Sequence, residues 1–191
     1  MTDTTVSETT PGPAQASSVL PSTPIGVDGP AVQRAIALIW REAALLDAKE
    51  YQAWEKLYAD DGVYVVPVER ETDDFDNVLN MIYDDRRLRA ARVVRLVGGY
   101  SMSAVDAALT VRTVSRFVPQ SAPGTAEAGT EVVLKAGQIL IAYKRTVHDI
   151  WAADVDFTVR LGAAPADDRL VRKVVRLVDA DGAVPAAGFL L

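Results

Sequence analysis

The chain of 191 residues has no cysteine, and that absence excludes several classes of chemistry. Without thiolates there is no disulfide framework, no thiolate zinc site and no cysteine nucleophile. An iron–sulfur cluster held by this chain alone is excluded as well, because such clusters are bound through cysteine. Histidine is almost as scarce: His148 stands alone and cannot build a two-histidine facial iron site. No apolar run approaches the ~20 residues that span a bilayer. The N-terminus lacks the charged start and apolar middle of a signal peptide, so the expected location is cytoplasmic, with no membrane partner. Positive charge is in deficit, 20 Lys and Arg against 26 Asp and Glu, for a net charge of −6. That argues against a nucleic-acid partner, since phosphate affinity comes from neutralising cations. A phosphate-binding glycine loop, a nucleophile elbow and a metal-ligand cluster are also missing.

What is present is an ordinary globular composition, 49% hydrophobic and 24% charged, in a length that suits one sizeable core. Residues 1–29 are mostly Thr, Ser, Pro, Gly and Ala. With so little apolar bulk they read as a flexible arm, leaving 30–191 as a single domain. A helix starts at Pro30, with Val32, Ile36, Ile39, Ala43 and Leu46 at helical spacing. A short second helix from Lys49 gathers Tyr51, Trp54 and Tyr58. Val63 to Val68 reads as a strand and Glu69 to Asp76 as a loop.

From Asp76 to Val97 the spacing predicts one long helix, stopped by Gly98-Gly99. At about 100° per residue, Val78, Met81, Ile82, Asp85, Leu88, Arg89, Arg92 and Leu96 share one arc. Charges therefore lie among apolar groups, and a partly buried charge needs a partner. Asp84, Asp85, Arg86, Arg89 and Arg92 are candidates for an internal ion-pair cluster, with Asp85 paired to Arg89 or Arg92. A solvated charge run is the alternative.

Beyond Gly99 the period changes to 2. Leu109, Val111, Thr113, Ser115 and Phe117 alternate with Thr110, Arg112, Val114 and Arg116. Further strands run through Val133 to Arg145, Trp151 to Leu161 and Leu170 to Val178. Arg112 and Arg116, with Arg172 and Arg176 flanking Lys173, place cations on a sheet rich in Val and Leu. Such a mixture suits an outer face that meets a protein partner; strand charges that block aggregation are the alternative. Helices followed by hairpin-linked strands make an α+β fold: a curved, mixed, mostly antiparallel sheet with N-terminal helices on its concave side. The tail holds Val184, Phe189, Leu190 and Leu191, too much apolar surface to leave in water. It is expected to dock on its own core or a neighbour, with the terminal carboxylate near Arg172 or Arg176.

One ordered set of residues carries a resemblance. It begins with Glu42-Ala43, Leu45-Leu46-Asp47, Tyr51 and Trp54, then Leu57-Tyr58-Ala59-Asp60-Asp61 and Val63-Tyr64-Val65-Val66-Pro67. It continues through Tyr83-Asp84-Asp85, Leu88, Arg92-Val93, Arg95 and Thr113-Val114-Ser115, and ends at Arg172 to Leu177 and Phe189-Leu190-Leu191. Over residues 30–191 this resembles the small (β) subunit of Rieske-type aromatic-ring-hydroxylating dioxygenases. Two positions depart from that pattern. Arg116 stands where the family often has Asn, and Ala152-Ala153-Asp154 stands where a Gly near Trp151 is usual.

The resemblance implies a cone-shaped fold like that of nuclear transport factor and ketosteroid isomerase. It implies a non-catalytic structural subunit in an α3β3 hexamer. The large (α) oxygenase subunit would hold a Rieske [2Fe–2S] cluster and a mononuclear non-haem iron. Electrons would arrive through a ferredoxin or reductase, and this chain would carry no catalytic, cofactor or metal residue. The same cone fold also hosts independent isomerases, dehydratases and small-ligand-binding modules. As a base for such chemistry Asp85 is disfavoured, because Arg89 and Arg92 would lower its pKa. His148 and Asp149, adjacent on a strand, point to opposite faces. Tyr64, Tyr83, Tyr100 and Tyr143 could donate to an oxyanion, but tyrosine is equally at home in cores and interfaces.

Overall fold

The computed structural model describes residues 26–98, 108–121, 125–180, 182 and 188–191. Most of the expected N-terminal arm, together with Gly99, Tyr100 and Val184, lies outside the described residues. Helix α1 spans Pro30–Asp47 and α2 Tyr51–Glu55, followed by β1 Tyr58–Pro67, β2 Asn80–Asp84 and α3 Arg86–Val97. Strands β3 Leu109–Ser121, β4 Glu131–Lys144, β5 Val147–Arg160 and β6 Arg169–Leu177 complete the chain. They form a six-stranded mixed sheet in the order β2-β1-β6-β5-β4-β3. Among the described strands, β1 and β6 run parallel and the other pairs are antiparallel.

Helix α1 begins with Pro at its first turn, where the missing N–H is not needed, and buries Val32, Ala35, Ile36, Ile39, Ala43 and Leu46. That stripe packs against the sheet face formed by Val114, Val132, Leu134, Leu140, Val155, Phe157 and Val175. The aromatic group read from the sequence assembles at this inner face. Trp54 meets Tyr58 edge-on at 5.2 Å and Tyr64 at 5.9 Å. Tyr58, however, belongs to β1 rather than to a helix.

The long helix expected from Asp76 does not exist as one element. Its first half is strand β2, antiparallel to β1 with Val65 opposite Tyr83. Asp85 then caps a shorter helix, its carboxylate accepting the Leu88 N–H at 2.7 Å. The arc of shared residues was a coincidence of spacing. Met81-Ile82-Tyr83 is as good a strand run as a helical one, and an Asp just ahead of an apolar-periodic stretch is an N-cap signal.

The second difference is which face of β3 turns inward. Thr110, Arg112 and Val114 are buried, whereas Leu109 and Val111 are exposed. On β4, Val132, Leu134, Ala136, Leu140 and Ala142 are buried while Ile139, Ile141 and Tyr143 face out. The hairpin from β4 to β5 turns through Arg145 and Thr146, both with positive φ (50° and 69°), the backbone hand that matches strand twist in a two-residue loop. At Gly62, where the β1–β6 register slips, a Cβ would lie 2.8 Å from the Leu170 carbonyl oxygen. Only glycine fits that approach.

Candidate functional site

The space between helices and sheet holds a cluster of charged and polar groups instead of an apolar filling. Glu42 from α1 and Lys173 from β6 meet at 2.8 Å, both side chains 0% exposed. Trp54 Nε1 donates to the same Glu42 oxygen at 2.9 Å. Lys173 Nζ also donates to the main-chain oxygen of Leu191 at 2.8 Å. The Tyr64 hydroxyl accepts the Leu191 N–H at 3.2 Å and lies 3.3 Å from the Leu191 oxygen. From β3, Arg112 donates to the Leu190 oxygen at 3.0 Å and to Asp47 of α1 at 2.9 Å. Asp47 also accepts from the Thr110 hydroxyl and from the Arg112 N–H.

Electrostatics follow from this burial. Desolvation lowers the Lys173 pKa, opposed by the Glu42 charge, while desolvation raises those of Tyr58 and Tyr64. A buried acid beside a phenol is the raw material of proton transfer. Here the acid is engaged by Lys173 and Trp54, and Leu190 and Leu191 lie against its partners. An open groove of about 550 Å³ does exist beside Glu55, Asp60, Asp61, Gly62, Arg86 and Ala90, but it is rimmed by exposed charges. Among the described residues, no group of three or more His, Cys, Asp or Glu converges as a metal would require. With one histidine and no cysteine, the ligand sets of a Rieske cluster and of a facial-triad iron do not fit this chain.

The candidate ion-pair residues separate into different roles. Asp84, on the inner face of β2, pairs with Arg92, whose Nη2 lies 3.0 Å from it; that bond raises the Arg92 pKa. The expected Asp85 pairing does not form. Asp85 is the exposed cap of α3, and Arg89 turns away to the carbonyls of Gly62 and Asp84 and over the Tyr58 ring at 4.3 Å. Burial lowers the Arg89 pKa. Arg86 reaches exposed Asp60 at 3.0 Å on the surface.

The four sheet arginines do not share one outer face. Arg112 points inward, as described above. Arg116 is exposed and paired with Asp154, in a bulge of β3 where its φ is +55°. Asn tolerates that left-handed region better than Arg does, so Arg116 sits there with some backbone strain. Arg176 is held under the β1–β2 loop by Asp156 at 3.0 Å, Asp73 at 2.6 Å and the carbonyls of Arg70 and Thr72. Arg172 alone of the four is an exposed outer-face cation without an ion pair among the described residues. Of the expected tail, residues 188–191 dock on the core, and their main-chain oxygens meet Lys173, Tyr64 and Arg112 rather than Arg172 or Arg176.

The outer face of the sheet is divided. Over β5 and β6 it is covered by the β1–β2 loop, through Arg70 to Asp154 and the Leu177 carbonyl and through Arg176. Over β3, β4 and the start of β5 it is apolar, and among the described residues no loop is bonded across it. Leu109 (67% exposed), Val111, Ile139, Ile141, Tyr143 and Ile150 (70%) stand there. They are neighbours: Leu109 pairs with Tyr143, Val111 with Ile141, and Ile141 with Ile150. His148 adjoins this patch, its ring 4.8 Å from that of Tyr143. Strands buried on both faces read as continuous apolar runs, and Ile139-Leu140-Ile141-Ala142-Tyr143 is such a run in which Leu140 and Ala142 are buried while Ile139, Ile141 and Tyr143 are exposed. That run was the available signal for the patch. Glu42 and Lys173 carried no distinct signal, because each stands next to another charge in the sequence, Arg41 and Arg172.

By sequence, the family described as ring hydroxylating beta subunit matches residues 41–153, more than half of the chain. No curated protein sequence matches it. By structure it is similar to the beta subunit of the benzoate 1,2-dioxygenase from Burkholderia mallei. That match has a TM-score of 0.63 and 22% identity, and covers 82% of this chain and 95% of that one. It is similar too to a naphthalene 1,2-dioxygenase with indole bound in the active site, with a TM-score of 0.67 and 18% identity over 83% of this chain and 84% of that one. An NTF2-like protein with a cystatin-like fold from Novosphingobium aromaticivorans aligns at a TM-score of 0.50 and 17% identity, over 81% and 93% of the two chains. At these identities the structural likenesses establish the fold.

Proposed function

This chain belongs to the ring-hydroxylating dioxygenase beta subunit family, and from that premise we propose that it braces the oxygenase without taking part in the chemistry. An alpha oxygenase subunit is the partner that membership implies. The reading places the Rieske [2Fe–2S] cluster and the mononuclear non-haem iron on that large subunit. It places three copies of each chain in an α3β3 hexamer supplied by a ferredoxin or reductase, in the cytoplasm. Among the described residues no helix is long and apolar enough to cross a membrane. The proposed roles of the singled-out residues are structural: Asp84 with Arg92 and Arg112 with Asp47 hold helices to sheet, and Arg172 stays free for a partner.

The observation that carries this reading is the exposed apolar face of β3, β4 and β5. A contiguous exposed patch of aliphatic and tyrosine side chains, with no charge at its centre, marks a surface that another protein covers. We assign the large subunit to it. The test is co-expression of the two subunits with Ile141→Asp in this chain. The unaltered pair should co-purify in equal amounts as an iron-containing complex. The variant should purify alone and melt at the same temperature as the unaltered isolated chain, because a substitution at an exposed position away from the core changes stability by only about 0.5 kcal/mol. A variant that co-purifies undiminished would remove the assigned face. Stoichiometric iron in the isolated small chain would overturn the non-catalytic role.

A further inference from the structure

We propose that residues 188–191 occupy a ligand site, a pocket for a short apolar peptide that the chain fills with its own segment. Residues 188–191 belong to no helix or strand. They are held as a ligand is held, by side chains arriving from separate elements. Lys173 of β6, Tyr64 of β1 and Arg112 of β3 all direct polar atoms at the main chain of Leu190 and Leu191. Apolar walls take the side chains: Leu190 is 2% and Leu191 5% exposed, and Phe189 stands edge-on to Trp151 at 5.7 Å.

The polar lining is richer than this occupant uses. Among the described residues, Glu42 Oε2 and Arg112 Nη1 are fully buried without a hydrogen-bond partner, as are Gln138 Oε1 and Trp151 Nε1 on the same inner face. Buried polar atoms without partners are costly, and a pocket needed only as filler would be met by apolar side chains at positions 42, 112 and 173. The arrangement is that of a site with directional donors for main-chain oxygens and depth for branched aliphatic side chains. This inference concerns the isolated chain and stands apart from the oxygenase partner.

The test removes Gly188 to Leu191 and supplies the tetrapeptide Gly-Phe-Leu-Leu in trans. The truncated chain should show a saturable rise in melting temperature and 1:1 heat of binding. The full chain, its site already filled, should show neither. A scrambled Leu-Gly-Leu-Phe peptide, and the Tyr64→Phe form of the truncated chain, should each bind about tenfold more weakly, the equivalent of one lost hydrogen bond. If the truncated chain does not fold alone, it is refolded from urea with and without the peptide. Recovery of a cooperative melt only with Gly-Phe-Leu-Leu supports the site. Overturning results are no response of the truncated chain to the peptide, equal response to the scrambled one, or equal response of the full chain.

Discussion

Replacing Lys173 with Met tests whether the interior charge cluster holds the fold together. Methionine keeps the unbranched length of the side chain and removes its charge and donors. Lys173 bridges Glu42 and the Leu191 oxygen at 2.8 Å each, so both lose a partner. The two losses differ in size. Leu191 still has the Tyr64 hydroxyl beside it, so that bond is worth about 1 kcal/mol or less. Glu42 is left as an uncompensated charge with no solvent exposure and a single Trp54 bond, and breaking one side of a buried pair costs about 3–5 kcal/mol. For a domain of this size each kcal/mol moves the midpoint by about 2–4 °C. Lys173→Met should therefore melt about 6–20 °C lower, followed by circular dichroism on the purified chain. The paired change Glu42→Leu with Lys173→Met removes both charges together and should recover a large part of that loss. If Lys173→Met melts within about 2 °C of the parent, or the double variant loses the sum of both singles, the cluster does not work as a charge pair.

Two other expectations separate the structure from simpler readings. In urea denaturation, Asp84→Ala should cost about 3 kcal/mol or more by stranding Arg92, whereas Asp85→Ala removes only a helix cap, about 1 kcal/mol; the reverse ranking would refute the assignment. Tyr58 and Tyr64 have raised folded-state pKa values. For a tyrosine this means full stability below its unfolded value of 10.0 and a loss as pH climbs above it, since the unfolded chain then holds fewer protons. Lys173, lowered by burial, works in the opposite sense until pH passes its unfolded value of 10.5. Stability should thus fall steeply above that point, with the tyrosinate absorbance of both buried rings appearing only on unfolding. Normal titration of every tyrosine in the intact fold would contradict their burial.

The α+β order, the first helix and the four long C-terminal strands were legible because their periodicity extends over many residues and tertiary context rarely reverses so long a signal. The stretch from Asn80 to Val97 was not. Five strand residues followed by a capped helix mimic one helix when charges and apolar groups fall on the same arc. Resolving the two required recognising Asp85 as a cap instead of an ion-pair partner. Alternation located β3 but misjudged its sides, since Arg112 is the inward residue and Val111 the outward one. That inversion has a physical cause: β3 and β4 carry apolar groups on both faces, so hydrophobicity alone does not say which is the core. The inward arginine is made tolerable by Asp47, 65 positions earlier, a pairing no local pattern could announce. The docking of residues 188–191 was legible from their apolar bulk; the donors that hold their oxygens were not, because Lys173 and Tyr64 lie 18 and 127 positions from Leu191.

The tail's position also bears on how the protein comes to exist in the cell. A ribosome delivers the chain from its N-terminus, and domains fold as they emerge. Strands β3 to β6 can pair as neighbouring segments leave the exit tunnel, but Lys173, Tyr64 and Arg112 wait for Leu190 and Leu191. Until residue 191 is free, Lys173 and Arg112 have only Glu42 and Asp47 as partners among the described residues, and contacts spanning 127 positions are the slowest kind to form. Completion of the fold is thereby tied to the arrival of residues 188–191. A chain interrupted before them would be held in an unfinished state, recognisable to quality control before any partner is engaged.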